Sequence, residues 1–170
     1  MDNTTPPDKI IEQIFYYLQL GIDTQKGELG GETALELIAD LYIAHGNNLP
    51  DTREISDFKR NVIRKMQSGT NPYRLAIYIL ECFNYATDWE QNAYSISRHM
   101  RSLLQLFSDE FIDVDQVVPE PDRGQIGEID EILMEPRPDV EPLRHVQIPD
   151  WIPESHWWWK TGRASGDVSP

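Results

Sequence analysis

The sequence predicts an all-α protein, a bundle of about five helices followed by an acidic, proline- and tryptophan-containing extended C-terminal arm. Three observations predict it. Apolar residues over positions 1–112 recur with the period of about 3.6 residues that marks a helix with one buried face. No segment of convincing length alternates with the two-residue period of a strand. Composition then changes near residue 113: residues 1–112 hold 16 acids, 10 bases and four prolines, whereas the last 58 residues hold 13 acids, 5 bases, eight prolines and four of the five tryptophans. Eight prolines at that density forbid long helices, because each removes a backbone donor and restricts the residue before it. The expected division is a helical domain, 1–112, and an arm, 113–170.

Each helix has its own signals. Thr5-Pro6-Pro7-Asp8 supplies a cap, a proline in the first turn and an early acid. Ile10, Ile11, Ile14, Phe15 and Leu18 then form one stripe, and Gly21 closes it. A connector, GIDTQKGELGG, leads to a second helix at roughly 32–45, with Leu35, Ile38, Leu41 and Tyr42 inward and Gly46 as its stop. Asn47-Asn48-Leu49-Pro50 is a turn, and Asp51-Thr52-Arg53-Glu54 is a capping box for a third helix whose stripe is Ile55, Phe58, Val62, Ile63 and Met66, ending at Gly69. Asn71-Pro72 starts a fourth helix, running through Phe83. It is apolar on nearly every face, so it is expected at the centre, surrounded by the others. The fifth, from about Asp88 to Phe111, carries Trp89, Ile96, Met100, Leu103, Leu104 and Phe107. Within the arm, Gln125–Met134 places Ile126, Ile129, Ile132 and Leu133 for one or two apolar helical turns, and Pro136, Pro138 and Pro142 enforce extended chain beyond it.

The 170 residues carry a net charge of -14. No apolar stretch is long enough to span a bilayer, so no membrane role is expected. The opening MDNTTPPDK has neither the basic nor the apolar region of a secretory leader, and one cysteine cannot form an intramolecular disulfide; the expected setting is cytoplasmic.

Chemistry-bearing motifs are scarce. Neither phosphate-loop pattern occurs. Gly27-Glu28-Leu29-Gly30-Gly31 reads as a connector, because Glu28 and Glu32 would repel an anion docked there. The four histidines, His45, His99, His145 and His156, lie far apart without metal-ligand spacing, so no metal and no cofactor are expected. Cys82 sits among Ile79, Leu80 and Phe83, where a thiol stays protonated and inert. No catalytic residues are assigned, and the protein is expected not to be an enzyme.

Two segments are singled out for binding. The third helix concentrates Arg53, Lys59, Arg60, Arg64 and Lys65, half of the bases of residues 1–112. Lys59, Arg60, Arg64 and Lys65 are candidate contacts to nucleic acid or to an acidic segment, although the overall charge repels a polyanion. The arm carries Trp151, Trp157, Trp158 and Trp159, punctuated by Pro149 and Pro153, and tryptophan is enriched among the residues that dominate interfaces. These four, with Ile129 and Leu133, are the candidate anchors for a protein partner or for a second copy; the competing expectation is that the tryptophans fold back and cap the helical bundle. The function expected is thus a non-enzymatic assembly or adaptor protein acting through its arm. The alternative is a nucleic-acid-related regulator that contacts DNA through the third helix or acts as an acidic decoy. The aromatics Tyr16, Tyr17, Tyr78 and Tyr85 are further candidates for holding an oligomer together, and equally for the boundary of the core.

Overall fold

The computed structural model of the chain describes residues 5–20, 33–88, 90–135 and 148–160. Six α-helices and no strand occur among them: α1 (Pro7–Leu20), α2 (Ala34–Ala44), α3 (Arg53–Met66), α4 (Asn71–Thr87), α5 (Gln91–Glu110) and α6 (Gln125–Met134). Short 3-10 turns cover Val114–Gln116, Glu120–Asp122 and Trp157–Trp159. The fold class is all-α. Gly21, the 27–31 connector, Glu32, Trp89, Pro136, Pro138, Pro142 and His145 lie outside the described residues.

Helix boundaries follow from local chemistry. The Thr52 hydroxyl accepts from the Ile55 amide at 3.3 Å, and Thr33 does the same for Glu36 at 3.1 Å, each satisfying a donor that the first helical turn leaves free. At the end of α2 the chain turns left-handed through Gly46 (φ +73°) and Asn47 (φ +62°), so that the Asn47 amide reaches back to the Tyr42 carbonyl at 3.0 Å.

The chain divides into two compact units, one comprising Met1–Tyr78 with Leu103–Arg123 and the other Ile79–Ser102 with Gly124–Pro170. This division differs from the expected one at residue 113. Residues 114–123 belong with the first helices, and residues beyond 123 belong with the middle of the chain.

In the first unit the expected stripes are inward: Ile10, Ile14, Leu18, Leu35, Ile38, Leu41, Ile55, Phe58, Val62 and Met66 are all buried. A ladder of rings joins α1, α3 and the end of α5. Phe15 meets Phe58 edge-on at 5.8 Å, Phe58 meets Phe111 at 5.9 Å, and Phe111 stacks on Phe107 at 5.2 Å. Asn71, buried at the start of α4, donates from Nδ2 to the carbonyls of Leu18 and Lys65, both at 3.0 Å, and so ties down the ends of α1 and α3. Burial, followed by the charges of Glu110 and Asp109, pushes the Tyr42 phenol above its ordinary value.

The second unit is built on Ile79, Cys82 and Ala86 of α4 and on the first half of α5. The α6 helix occupies Gln125–Met134, the span its apolar spacing predicts, and it is entered through Gly124 at φ +86°, a left-handed conformation that glycine adopts without a Cβ penalty. Residues 148–160 are a chain of tight turns rather than an extended strip. The amide of Ile152 bonds to the Pro149 carbonyl, that of His156 to Pro153, and that of Lys160 to Trp157.

Candidate functional site

The tryptophans of the arm are covered by the chain's own helices. Trp158 (2% exposed), Trp159 (6%) and Trp151 (9%) are buried, as are Ile129 and Leu133 of α6; Trp157 alone of the six expected partner anchors is half-buried. Their assignment as free anchors is therefore corrected. The reason lies at Ser102 on α5. Its Oγ accepts the indole N–H of Trp158 at 3.0 Å and that of Trp159 at 2.7 Å, and it lies 3.1 Å from Nδ1 of His156. Trp158 also donates to the Arg98 carbonyl at 3.2 Å. Two indoles thus find acceptors as well as apolar cover. An intramolecular site has no translational entropy to overcome, so it outcompetes a dilute partner.

Charged side chains complete this clasp. The Arg101 guanidinium lies 4.4 Å from the centroid of Trp158 and pairs bidentately with Asp130 of α6, at 2.7 and 3.0 Å. Arg98 lies 4.1 Å from the Tyr94 ring, and the Tyr94 hydroxyl donates to the Leu133 carbonyl at 3.2 Å. Trp151 packs edge-on against His99 at 6.2 Å, and His156 stacks on Trp158 at 4.7 Å. Sequence reasoning missed Tyr94, Arg98, Arg101 and Ser102 as a group. Their spacing was the available signal: 94, 98 and 101 share a helix face, which holds two cations and an aromatic where an apolar stripe would be expected.

Ser102 beside His156 has the composition of a nucleophile and its base. Its chemistry is otherwise, because both lone pairs of the hydroxyl receive indole protons and the pair is sealed from solvent. Cys82 is fully buried, its Sγ donates to the Ser97 carbonyl at 3.4 Å, and burial pushes the thiol up to about 12, which suppresses the reactive thiolate. Among the described residues no group of three His, Cys, Asp or Glu side chains could hold a metal ion. None of the described helices is long and apolar enough to cross a membrane.

The basic residues of α3 do lie on its outer side, but they have local partners. Lys59 Nζ pairs with Glu110 at 2.7 Å, Arg60 pairs with Asp57, and Arg64 donates to Asn61 at 2.9 Å. Arg60, Arg64, Asp57 and Asn61 line an open surface hollow of about 370 Å³. A carboxylate in that lining works against a phosphate, and Lys65 is only half exposed.

The fourth helix departs from expectation in the opposite sense. It is not covered all round: Tyr73 is 65% exposed, Ile77 49%, Leu80 46% and Tyr85 39%. At about 100° per residue, positions 73, 77, 80 and 84 fall within one narrow arc, and 85 flanks it. This alignment follows from the period of a single helix. The polar exposed members of that face are Glu81 and Asn84. Tyr16 and Tyr85 are exposed as expected, whereas Tyr17 and Tyr78 are buried, and Ile96, expected inward on α5, is 42% exposed. Comparison with known protein families, with curated proteins and with solved structures finds no match for this chain.

Proposed function

We propose that the chain is a non-enzymatic assembly protein, a cytoplasmic helical bundle that pairs with a second copy of itself along the outer face of α4. The observation that carries this reading is the exposure of Tyr73, Ile77, Leu80 and Tyr85 on one helix. Scattered exposed apolar residues are ordinary, but three aligned ones, Tyr73, Ile77 and Leu80, with a second tyrosine flanking them, support an association surface. Its spacing suits a two-fold partner. About a point between Tyr78 and Ile79, Ile77 mirrors Leu80, and Tyr73 mirrors Asn84 beside Tyr85, so antiparallel copies place Ile77 of one against Leu80 of the other.

The four side chains supply about half of the roughly 800 Å² per partner of a standard interface, which suits reversible pairing in the micromolar range. A buried, reduced thiol at Cys82 is in keeping with a cytoplasmic setting. The inertness of Cys82 and the engagement of Ser102 by two indoles support a non-enzymatic role. The α3 face supports a nucleic-acid role less well, since Lys59, Arg60 and Arg64 each have a neighbour of their own.

Sedimentation velocity between about 5 and about 200 µM tests the reading in the range where such a dimer forms. The native chain should shift from monomer to dimer, and Ile77→Glu with Leu80→Glu should stay monomeric with unchanged helix content. A native chain that stays monomeric throughout, or a double variant that pairs as well as the native chain, contradicts it.

A further inference from the structure

We infer that Arg74 and Glu81 pair across two copies of α4, fixing them antiparallel and making the chain select its own kind. The inference rests on the pairing proposed above and adds what decides its direction and specificity. In its 17 residues α4 carries two charged side chains, Arg74 and Glu81, of opposite sign. Seven residues apart, they stand within about 20° of each other around the helix, about 80° to one side of the face formed by Tyr73, Ile77 and Leu80. The other flank holds Pro72, Ala76, Phe83 and Thr87, none of which ionises. Glu81 is exposed and Arg74 half-buried.

A two-fold axis that runs two copies antiparallel keeps each flank on its own side, so the charged flank of one copy meets the charged flank of the other. From the point between Tyr78 and Ile79, Arg74 lies about 7 Å one way along the helix and Glu81 about 4 Å the other way. The axis reverses the second copy, so its Glu81 falls about 3 Å along the helix from Arg74 of the first, and the pair occurs twice. Tyr85 of the second copy falls about 3 Å on the other side of Arg74, placing a ring beside the guanidinium. Helix axes about 8–10 Å apart bring side chains of this length together. Arg74 also interacts within its own chain, and its five N–H donors can serve more than one acceptor.

Parallel copies would set both charges against the uncharged flank and give neither a counterpart across the interface. Charges beside an apolar seam set orientation and partner choice in this way. At contact distance the pair lies inside the screening length of about 8 Å at physiological salt, so salt weakens it less than it weakens the long-range repulsion between two acidic copies.

Charge reversal tests the inference by sedimentation velocity of the full chain. Arg74→Glu sets like charges together at both pairs, and so does Glu81→Arg; each should weaken pairing at least about tenfold. Mixed in equal amounts, the two variants restore opposite charges at both pairs, and the mixture should dimerise as the native chain does. Glu81→Gln, which removes a charge without reversing it, should weaken pairing only about threefold, as expected for exposed ion pairs. Glu81→Arg is the stringent case, because it lowers the net negative charge: net charge alone predicts tighter pairing, and the cross-copy pair predicts weaker. Its exposed position keeps the test decisive even if Arg74→Glu fails to fold. If Glu81→Arg pairs at least as tightly as the native chain, or a mixture of the two folded variants stays as weak as its components, the charge pair is overturned while pairing through α4 stands. A native chain that stays monomeric overturns both.

Discussion

At Ser102 a single oxygen holds a segment of thirteen residues, 148–160, by its two indoles and its imidazole. Its hydroxyl lies 60 residues or less from each indole and imidazole it binds, yet no local pattern connects them, and its place in the middle of α5 resembles that of any solvated serine. Removing it tests the clasp directly. Ser102→Ala leaves the Trp159 N–H without its acceptor, so the unfolding free energy should fall by about 1–3 kcal/mol in urea titration, and a change below about 0.5 kcal/mol would show that the indoles do not depend on this oxygen. Cys82 gives a second residue-scale test. With its thiol pushed to about 12 from an ordinary 9.0, a thiol reagent at mildly alkaline pH should label the unfolded chain and spare the folded one. The linked stability is present below pH 9.0, where both states keep the proton, and is lost as pH rises from 9.0 towards about 12, because the unfolded chain deprotonates first. Labelling of the native chain at the rate of the unfolded one would place Cys82 outside the core.

The helices themselves were legible, and so were their ends. Thr52 and Gly46 act where their chemistry predicts, and α6 fills Gln125–Met134 because its apolar spacing admits one buried face. What the chain did not disclose was the destination of those faces. Periodicity says that Ile129 and Leu133 are buried, not whether the cover is a partner or α5 of the same molecule. Leu133→Ala separates the two. As a core residue it should cost about 2–5 kcal/mol of stability, whereas an anchor for a separate partner would leave the unfolding midpoint of the isolated chain unchanged. Proline density misled in a related way. Pro149 and Pro153 stand at the first position of turns that fold the segment back, each accepting through its carbonyl the amide three residues on, a role that needs no N–H of its own. The fourth helix was misjudged for the converse reason: apolar residues all round call for cover on every side, and Tyr73, Ile77, Leu80 and Tyr85 lack it.

For the molecule as a whole, the acidic composition opposes self-association, and the proposed pairing along α4 requires its apolar face to overcome that repulsion. Two copies each carrying -14 repel at long range, and added salt shortens the reach of that repulsion to about 8 Å at physiological ionic strength. Pairing should therefore tighten as salt rises, the reverse of what contact between the α3 cations and a polyanion would give. The most direct measurement is the distance between two copies of α4. A spin label at Glu81→Cys sits beside the shared face while the native Cys82 stays buried and unlabelled. Antiparallel helices in contact lie about 8–10 Å apart, so double electron–electron resonance should report one narrow distance of about 20–30 Å once label lengths are included. Absence of any intermolecular dipolar signal at concentrations well above micromolar would contradict the pairing.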